Sequence, residues 1–138
     1  MKKSILYRCF RLGAFPANVR AALEREGVVA IDEGVGGWFV MDRVTAPGRM
    51  YRHRREWFLG SIAVTRERLV CYAFSKRQIN IPLDDPRMEQ LRILCGADGV
   101  LSIAFESSLF REGWNGVIEM RFHSDITHRF HDVLPMEE

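Results

Sequence analysis

The sequence predicts a mainly β fold with some α-helix, in which about seven antiparallel strands are followed by one C-terminal helix. Apolar and polar residues alternate in residues 79–83, 101–105 and 117–122, which is the period of a half-buried strand. Residues 124–134 have instead the 3.6-residue period of an amphipathic helix. Because no long helical pattern separates the strands, we expect an antiparallel sheet rather than a parallel one.

Length and composition set the scale of this fold. The 138 residues suit one domain spanning 1–138, and an apolar content of 47% with nine Phe and three Trp can supply a core. No apolar run approaches the roughly 20 residues that a transmembrane helix needs. Three cysteines without a close pair argue against a disulfide framework and for a reducing compartment. We therefore expect a cytoplasmic protein.

A short N-terminal extension, residues 1–27, precedes the strands. Residues 5–12 are typical of a strand or an extended arm. Pro16 suits the first turn of a helix, apolar residues then recur at helical spacing, and Gly27 is placed to end it. The pattern therefore predicts a helix at 16–26, which must pack on the rest of the fold because so short a helix is marginal alone.

Strand patterns fill the middle of the chain. Residues 34–37 are glycine-rich and indicate a turn or bulge, residues 46–48 break the strand pattern, and Asp98-Gly99 predicts a hairpin turn. Residues 88–91 fit a strand or a helical turn. The expected strands cover residues 28–31, 38–41, 57–65, 69–74, 79–83, 91–95, 101–105 and 117–122.

The C-terminal helix is expected to cover the apolar opening that the strands leave. Ser124 is placed to cap it by accepting a hydrogen bond from the N–H of Thr127, and Pro135 ends it. Its apolar face comprises Ile126, Phe130, Val133 and Leu134. The residues predicted to share one core are Ile62, Val64, Ile79, Ile81, Ile103, Phe130 and Leu134.

Two segments carry a resemblance to a known superfold. Residues 57–69, WFLGSIAVTRERL, resemble the glycine-containing hairpin of GRAM and bacterial pleckstrin-homology-like (PH-like) domains, and residues 79–83, INIPL, are similar to the strand that follows it there. The resemblance covers residues 28–134. It implies a bent antiparallel β-barrel of about seven strands, open at one end, with the C-terminal helix as the plug. PH-like domains bind phosphoinositides or peptides or serve structurally, and enzymes are uncommon among them, so the resemblance implies a fold more than a function.

Charge is unevenly distributed along the chain. Residues 43–77 carry nine Lys and Arg against two Asp and Glu, whereas residues 78–138 carry five against eleven. The basic third is either an anion-binding surface or a block that faces the acidic C-terminal part. The net charge is only +2, and the basic segment is too small for a typical nucleic-acid interface. A nucleic-acid partner is therefore not expected.

Six basic residues form the candidate ligand-binding set. Arg52 and Arg54 are expected to share one face of a strand, where two guanidiniums can hold a phosphate or carboxylate. The step Arg52-His53-Arg54 also resembles the basic-x-Arg step of PH domains that bind inositol phosphates. The alternative is a solvated strand edge that charge protects from pairing. The full set is Arg43, Arg52, Arg54, Arg55, Lys76 and Arg77.

No catalytic, metal or cofactor site is predicted. The histidines at 123, 128 and 131 lie near two aspartates but match no metal-binding motif, and the polar outer face of a helix accounts for those at 128 and 131. His53 and Glu56 are a lone histidine–carboxylate pair, and no nucleophile elbow or phosphate-binding glycine loop is present.

The leading hypothesis is a non-enzymatic binding module that acts on an anionic ligand, such as a lipid head group or an acidic partner, or on another protein. One alternative is a small enzyme that uses the open mouth of the barrel. Another is a homo-oligomeric structural protein. It would bury apolar edge residues such as Trp38, Phe39, Phe110 or Trp114.

Overall fold

Seven antiparallel strands form one curled sheet in the computed structural model, which describes residues 13–96 and 98–136. The expected strand or arm at residues 5–12 lies outside the described residues. The strands are β1 (Val28–Ala46), β2 (Arg49–Thr65), β3 (Arg68–Ala73), β4 (Lys76–Pro82), β5 (Arg92–Cys95), β6 (Val100–Glu106) and β7 (Asn115–His123). Their spatial order is β4-β3-β2-β1-β7-β6-β5, so β1 joins the two halves of the chain. The result is a half-barrel, which confirms the expected mainly β fold.

Within residues 13–96 and 98–136, four short helical elements accompany the sheet. They are helix α1 (Ala17–Glu26), two 3₁₀ turns (Pro86–Gln90 and Ser107–Leu109) and helix α2 (Thr127–His131). The first 3₁₀ turn resolves the ambiguity at residues 88–91 in favour of a helical turn, which Asp85 caps by accepting the N–H of Arg87 at 2.8 Å. None of the helices in the described part of the chain is both long and apolar enough to span a bilayer.

Strand β1 is longer than its sequence pattern indicates. The two strands expected at 28–31 and 38–41 are one continuous strand of 19 residues, so a turn at the glycine-rich segment was the wrong alternative. The segment is a bulge instead, because the register with β2 shifts between Glu33 and Val35. Beyond the bulge, Gly37–Asp42 pairs with β2 on one side and β7 on the other.

Two glycines allow the sheet to bend around a buried ring. A Cβ on Gly37 would lie 2.1 Å from the carbonyl oxygen of Arg121 and 2.7 Å from the ring of Phe58. A Cβ on Gly60 would lie 2.2 Å from the carbonyl oxygen of Tyr72 and 2.9 Å from the same ring. Neither site has room for a side chain, so both glycines are required where the strands approach each other.

The concave face of the sheet encloses the main core. All seven residues that the sequence predicts to share a core belong to one buried cluster, which confirms that prediction. Helix α2 adds Phe130 to it, and Leu134 follows from the turn after the helix. The apolar opening is thus covered as expected.

Helix α1 packs on the convex face of the sheet. Phe15 and Leu23 form a second buried cluster with Ala63 of β2 and Val70 of β3, which explains why β3 is apolar on both faces. The buried carboxylate of Glu33 fixes this contact, since it accepts the N–H of Phe15 at 2.9 Å and pairs with Arg20. A buried charge requires such partners.

Helix α2 is shorter than predicted. Only Thr127–His131 are helical, and the chain leaves the helix in a turn where the N–H groups of Val133 and Leu134 both donate to the carbonyl oxygen of Phe130, at 3.2 and 2.9 Å. The predicted cap is also wrong: Ser124 Oγ accepts the N–H of Ile126 at 3.2 Å and donates to Asp32 at 2.7 Å. Ser124 therefore closes a turn before the helix rather than capping it.

Removal of the Phe130 ring should destabilise the protein strongly. Phe130 is 0% exposed, so Phe130→Ala would open a cavity in the main core and should lower the free energy of unfolding. We expect a loss of about 3–5 kcal/mol, measured by denaturant unfolding. Val133→Ala is the matched control, because Val133 is 37% exposed. Its effect should stay within about 0.5 kcal/mol. Equal losses in the two variants would contradict the docking of α2.

Candidate functional site

An open cleft lies between the inner face of β2, the start of β4 and the loop before β7. We call it the β2–β4 cleft; its volume is about 310 Å³. It lies at the low end of the size range of small-molecule sites. It is lined by Phe39, Met41, Arg49, Tyr51, Arg54, Glu56, Phe74, Lys76, Gln78, Arg111 and Trp114.

A second irregularity of β1 decides which β2 side chains reach the cleft. Arg43 adopts a left-handed φ of 54°, and the register between β1 and β7 shifts between Asp42 and Thr45. Before this bulge the inward positions include Met41, which pairs with Arg54; after it they include Val44, which pairs with Tyr51. Arg54 and Tyr51 therefore both line the cleft although they are three residues apart.

The six predicted site residues are divided between different surfaces. Arg54 and Lys76 line the cleft, whereas Arg52, which was expected to share a face with Arg54, is exposed and is not among the lining residues. Arg77 borders a neighbouring depression that also includes Arg111. Arg43 is exposed in the bulge, and the Arg55 guanidinium lies 4.2 Å from the centre of the Trp38 ring, outside the cleft.

Positive charge is concentrated in the cleft. Four cationic side chains, Arg49, Arg54, Lys76 and Arg111, line it with a single carboxylate, that of Glu56. Glu56 pairs with Arg54, while Arg49 donates to the hydroxyl of Tyr51 at 3.3 Å. The cations therefore outnumber the carboxylate, which is the electrostatic requirement for an anion site.

Arg111 is the most unusual of these cations. Its guanidinium is half-buried, 4.6 Å from the centre of the Trp114 ring and 5.7 Å from that of Phe39, and it donates to the side-chain oxygen of Gln78. No carboxylate pairs with it among residues 13–96 and 98–136. Burial lowers the pKa of the Arg111 guanidinium, and yet an arginine stays charged. The cleft thus holds a partly desolvated positive charge without a countercharge.

The sequence-based search missed Arg111 for a definite reason. It belongs to the acidic C-terminal part, far along the chain from the basic segment, and only the curl of the sheet brings the two together. The signal available was an arginine three residues before a tryptophan in a long loop. Loops that carry both charge and aromatic rings are common ligand contacts.

Ion pairs do not join the basic third to the acidic part in the described ranges. Arg54 pairs within its own strand, Arg68 pairs with Glu26 of α1, and Asp85 pairs with Arg87. The alternative that the two blocks neutralise each other therefore finds no ion pair in its favour.

The remaining candidates lie elsewhere. His128 and His131 are both exposed on α2, and no group of three metal-ligating side chains occurs among the residues described. Burial raises the pKa of the Cys71 thiol, which disfavours the reactive thiolate. Of the apolar edge residues proposed for an oligomer contact, Phe39 is buried, while Trp38 and Trp114 are half-buried.

Comparison with known proteins does not assign the chain to a family. No protein-family model matches the chain, and no curated protein is significantly similar to it.

The lack of a carboxylate partner for Arg111 predicts that the protein's stability does not depend on this guanidinium. We expect Arg111→Met to leave the free energy of unfolding within about 0.5 kcal/mol of the unchanged protein, or to raise it, because the substitution removes a desolvated charge. Arg68→Met is the contrasting variant: Arg68 lies 2.8 Å from Glu26, and the side chains are 22% and 17% exposed. Its loss should cost about 1.5–3 kcal/mol. Equal losses would mean that Arg111 is a structural residue.

Proposed function

We propose that the protein is a non-enzymatic binding module of PH-like type that holds an anionic group in the β2–β4 cleft. The observation that carries the proposal is Arg111, a half-buried guanidinium without a carboxylate partner among the described residues, beside three further cations. The curled seven-stranded sheet with its C-terminal helix supports the PH-like part of the proposal. Cys71 and Cys95 are free thiols, which supports a cytoplasmic location.

A phosphate group suits this cleft by charge and by donor geometry. Guanidiniums form short, charge-assisted and often bidentate hydrogen bonds to phosphate, and such bonds are about twice as strong as neutral ones. Partial burial strengthens them, because fewer water molecules screen the charges. Glu56 forms an ion pair with Arg54, and an incoming anion would compete with this carboxylate for the guanidinium.

The direct test is titration of the protein with inorganic phosphate, followed by NMR chemical shifts and calorimetry. The unchanged protein should bind, with affinity that falls as salt rises, because ionic screening shortens to about 8 Å near physiological strength. Arg111→Met should weaken binding about tenfold or more, since a hydrogen bond to a charged group is lost. Lys76→Met should weaken it less, because Lys76 is exposed.

Two further variants make the test specific to the cleft. Arg129→Met removes an exposed cation of α2 outside the cleft and should change the affinity by less than about twofold. Arg55→Met addresses the surface that the sequence favoured, and it too should have little effect. Absence of phosphate binding would overturn the proposal, as would an Arg55→Met loss equal to that of Arg111→Met.

A further inference from the structure

We propose that the β2–β4 cleft selects a small phosphate-bearing molecule whose body is a planar aromatic ring. This inference rests on the proposed function and adds the class of ligand. A free phosphate group would use only the cations of the cleft. The apolar part of the same wall indicates what the phosphate is attached to.

Four aromatic rings contribute to the wall of a cleft of only about 310 Å³. The rings of Phe39 and Phe74 meet edge to face, with centroids 5.6 Å apart, and Met41 lies beside them. The rings of Tyr51 and Trp114 are stacked within 19° of parallel at 6.2 Å. Such a wall favours a flat aromatic body, because aromatic pairs gain energy beyond the area that they bury.

The cations are interleaved with these rings rather than gathered at one edge. The Arg54 guanidinium lies 5.4 Å from the centre of the Tyr51 ring, and that of Arg111 lies near both Trp114 and Phe39, 4.6 and 5.7 Å from the ring centres. Phe39 is itself buried but contacts the exposed ring of Phe74, so a ligand ring placed against Phe74 would lie in the same cleft as the Arg111 guanidinium. A phosphate substituent on that ring could reach the guanidinium without leaving the cleft.

The backbone at Phe74 gives an independent indication. Phe74 and Ser75 form the two-residue loop between β3 and β4, with φ of 55° and 59°. Such loops favour Asn-Gly, and a bulky residue in the left-handed region is strained. The ring nevertheless stays 38% exposed at the cleft while it contacts Phe39 and Phe58. Strain that keeps an exposed ring beside a cluster of cations indicates a role in ligand contact.

The test compares three phosphate-containing probes: the monoesters phenyl phosphate and cyclohexyl phosphate, and inorganic phosphate. Phenyl phosphate should bind about fivefold tighter than cyclohexyl phosphate, which has similar bulk but no aromatic face. It should also shift the methyl resonance of Met41 upfield by its ring current, whereas cyclohexyl phosphate should not.

Two variants of the β3–β4 turn test whether the Phe74 ring causes the preference for phenyl phosphate. Phe74→Asn should keep the fold, because asparagine accepts the left-handed conformation, and it should reduce the preference for phenyl phosphate to about twofold or less. Ser75→Gly is the matched control: it relieves the same turn, keeps the ring and should keep the preference.

The outcomes separate this inference from the proposed function. Equal binding of phenyl and cyclohexyl phosphate, or no ring-current shift at Met41, would overturn the ligand class while anion binding stands. An unchanged preference of Phe74→Asn for phenyl phosphate over cyclohexyl phosphate would also overturn the ligand class, since the Phe74 ring would then contribute nothing to that preference. Failure of all three probes to bind would overturn the proposed function itself.

Discussion

The curl of the sheet depends on one buried ring, that of Phe58, around which two neighbouring backbones must come close. Gly37 and Gly60 provide the space, because a side chain on either would collide with the ring and with a carbonyl oxygen of the next strand. From Phe58 the packing continues to Phe122 at 5.3 Å and to Phe74 at 5.9 Å. This chain of rings links the central strands to the turn at the rim, so the curl that forms the core also forms the cleft.

Several residues in or beside the cleft have conformations or environments that lower the stability of the fold. Arg111 carries a partly desolvated charge, Phe74 has a left-handed backbone, and Arg43, outside the cleft, is left-handed in the bulge beside Tyr51. Elsewhere in the described structure, the partly buried charges of Glu33 and Arg68 have partners. Costs of this kind tend to collect at binding sites, because selection for function opposes selection for stability there.

Local patterns were sufficient for most of the fold and for little of the site. Alternation placed Ile79, Ile81 and Ile103 in the core correctly, since each side chain's direction follows from a strand's period of two. The same rule does not predict that Tyr51 and Arg54, three residues apart, line one cleft, where the register between β1 and β7 shifts around the left-handed residue Arg43. A bulge of this kind cannot be predicted from the local sequence when its left-handed residue is an arginine rather than a glycine or asparagine.

Several features depend on contacts between segments that are far apart in the sequence. The continuity of β1 through its glycines depends on pairing with β2, and Arg111 joins the basic segment only through the curl of the sheet. Helix α2 is shorter than its pattern because the tertiary contacts of Phe130 and Leu134, rather than helix propensity, decide where the chain turns. Properties that arise from contacts between distant segments were those that the sequence did not reveal.

The position of α1 has a consequence for how the chain is made. Leu23 of the helix packs on Val70 of β3, and nearly fifty residues separate them in the sequence. At the usual pace of ribosomal synthesis, about 5–20 residues per second, the helix waits roughly 2–10 s before its surface on the sheet exists. Over that interval its apolar side is open to solvent and to chaperones, and so short a helix is largely unformed by itself. Helix α1 is therefore synthesised well before the strand that secures it.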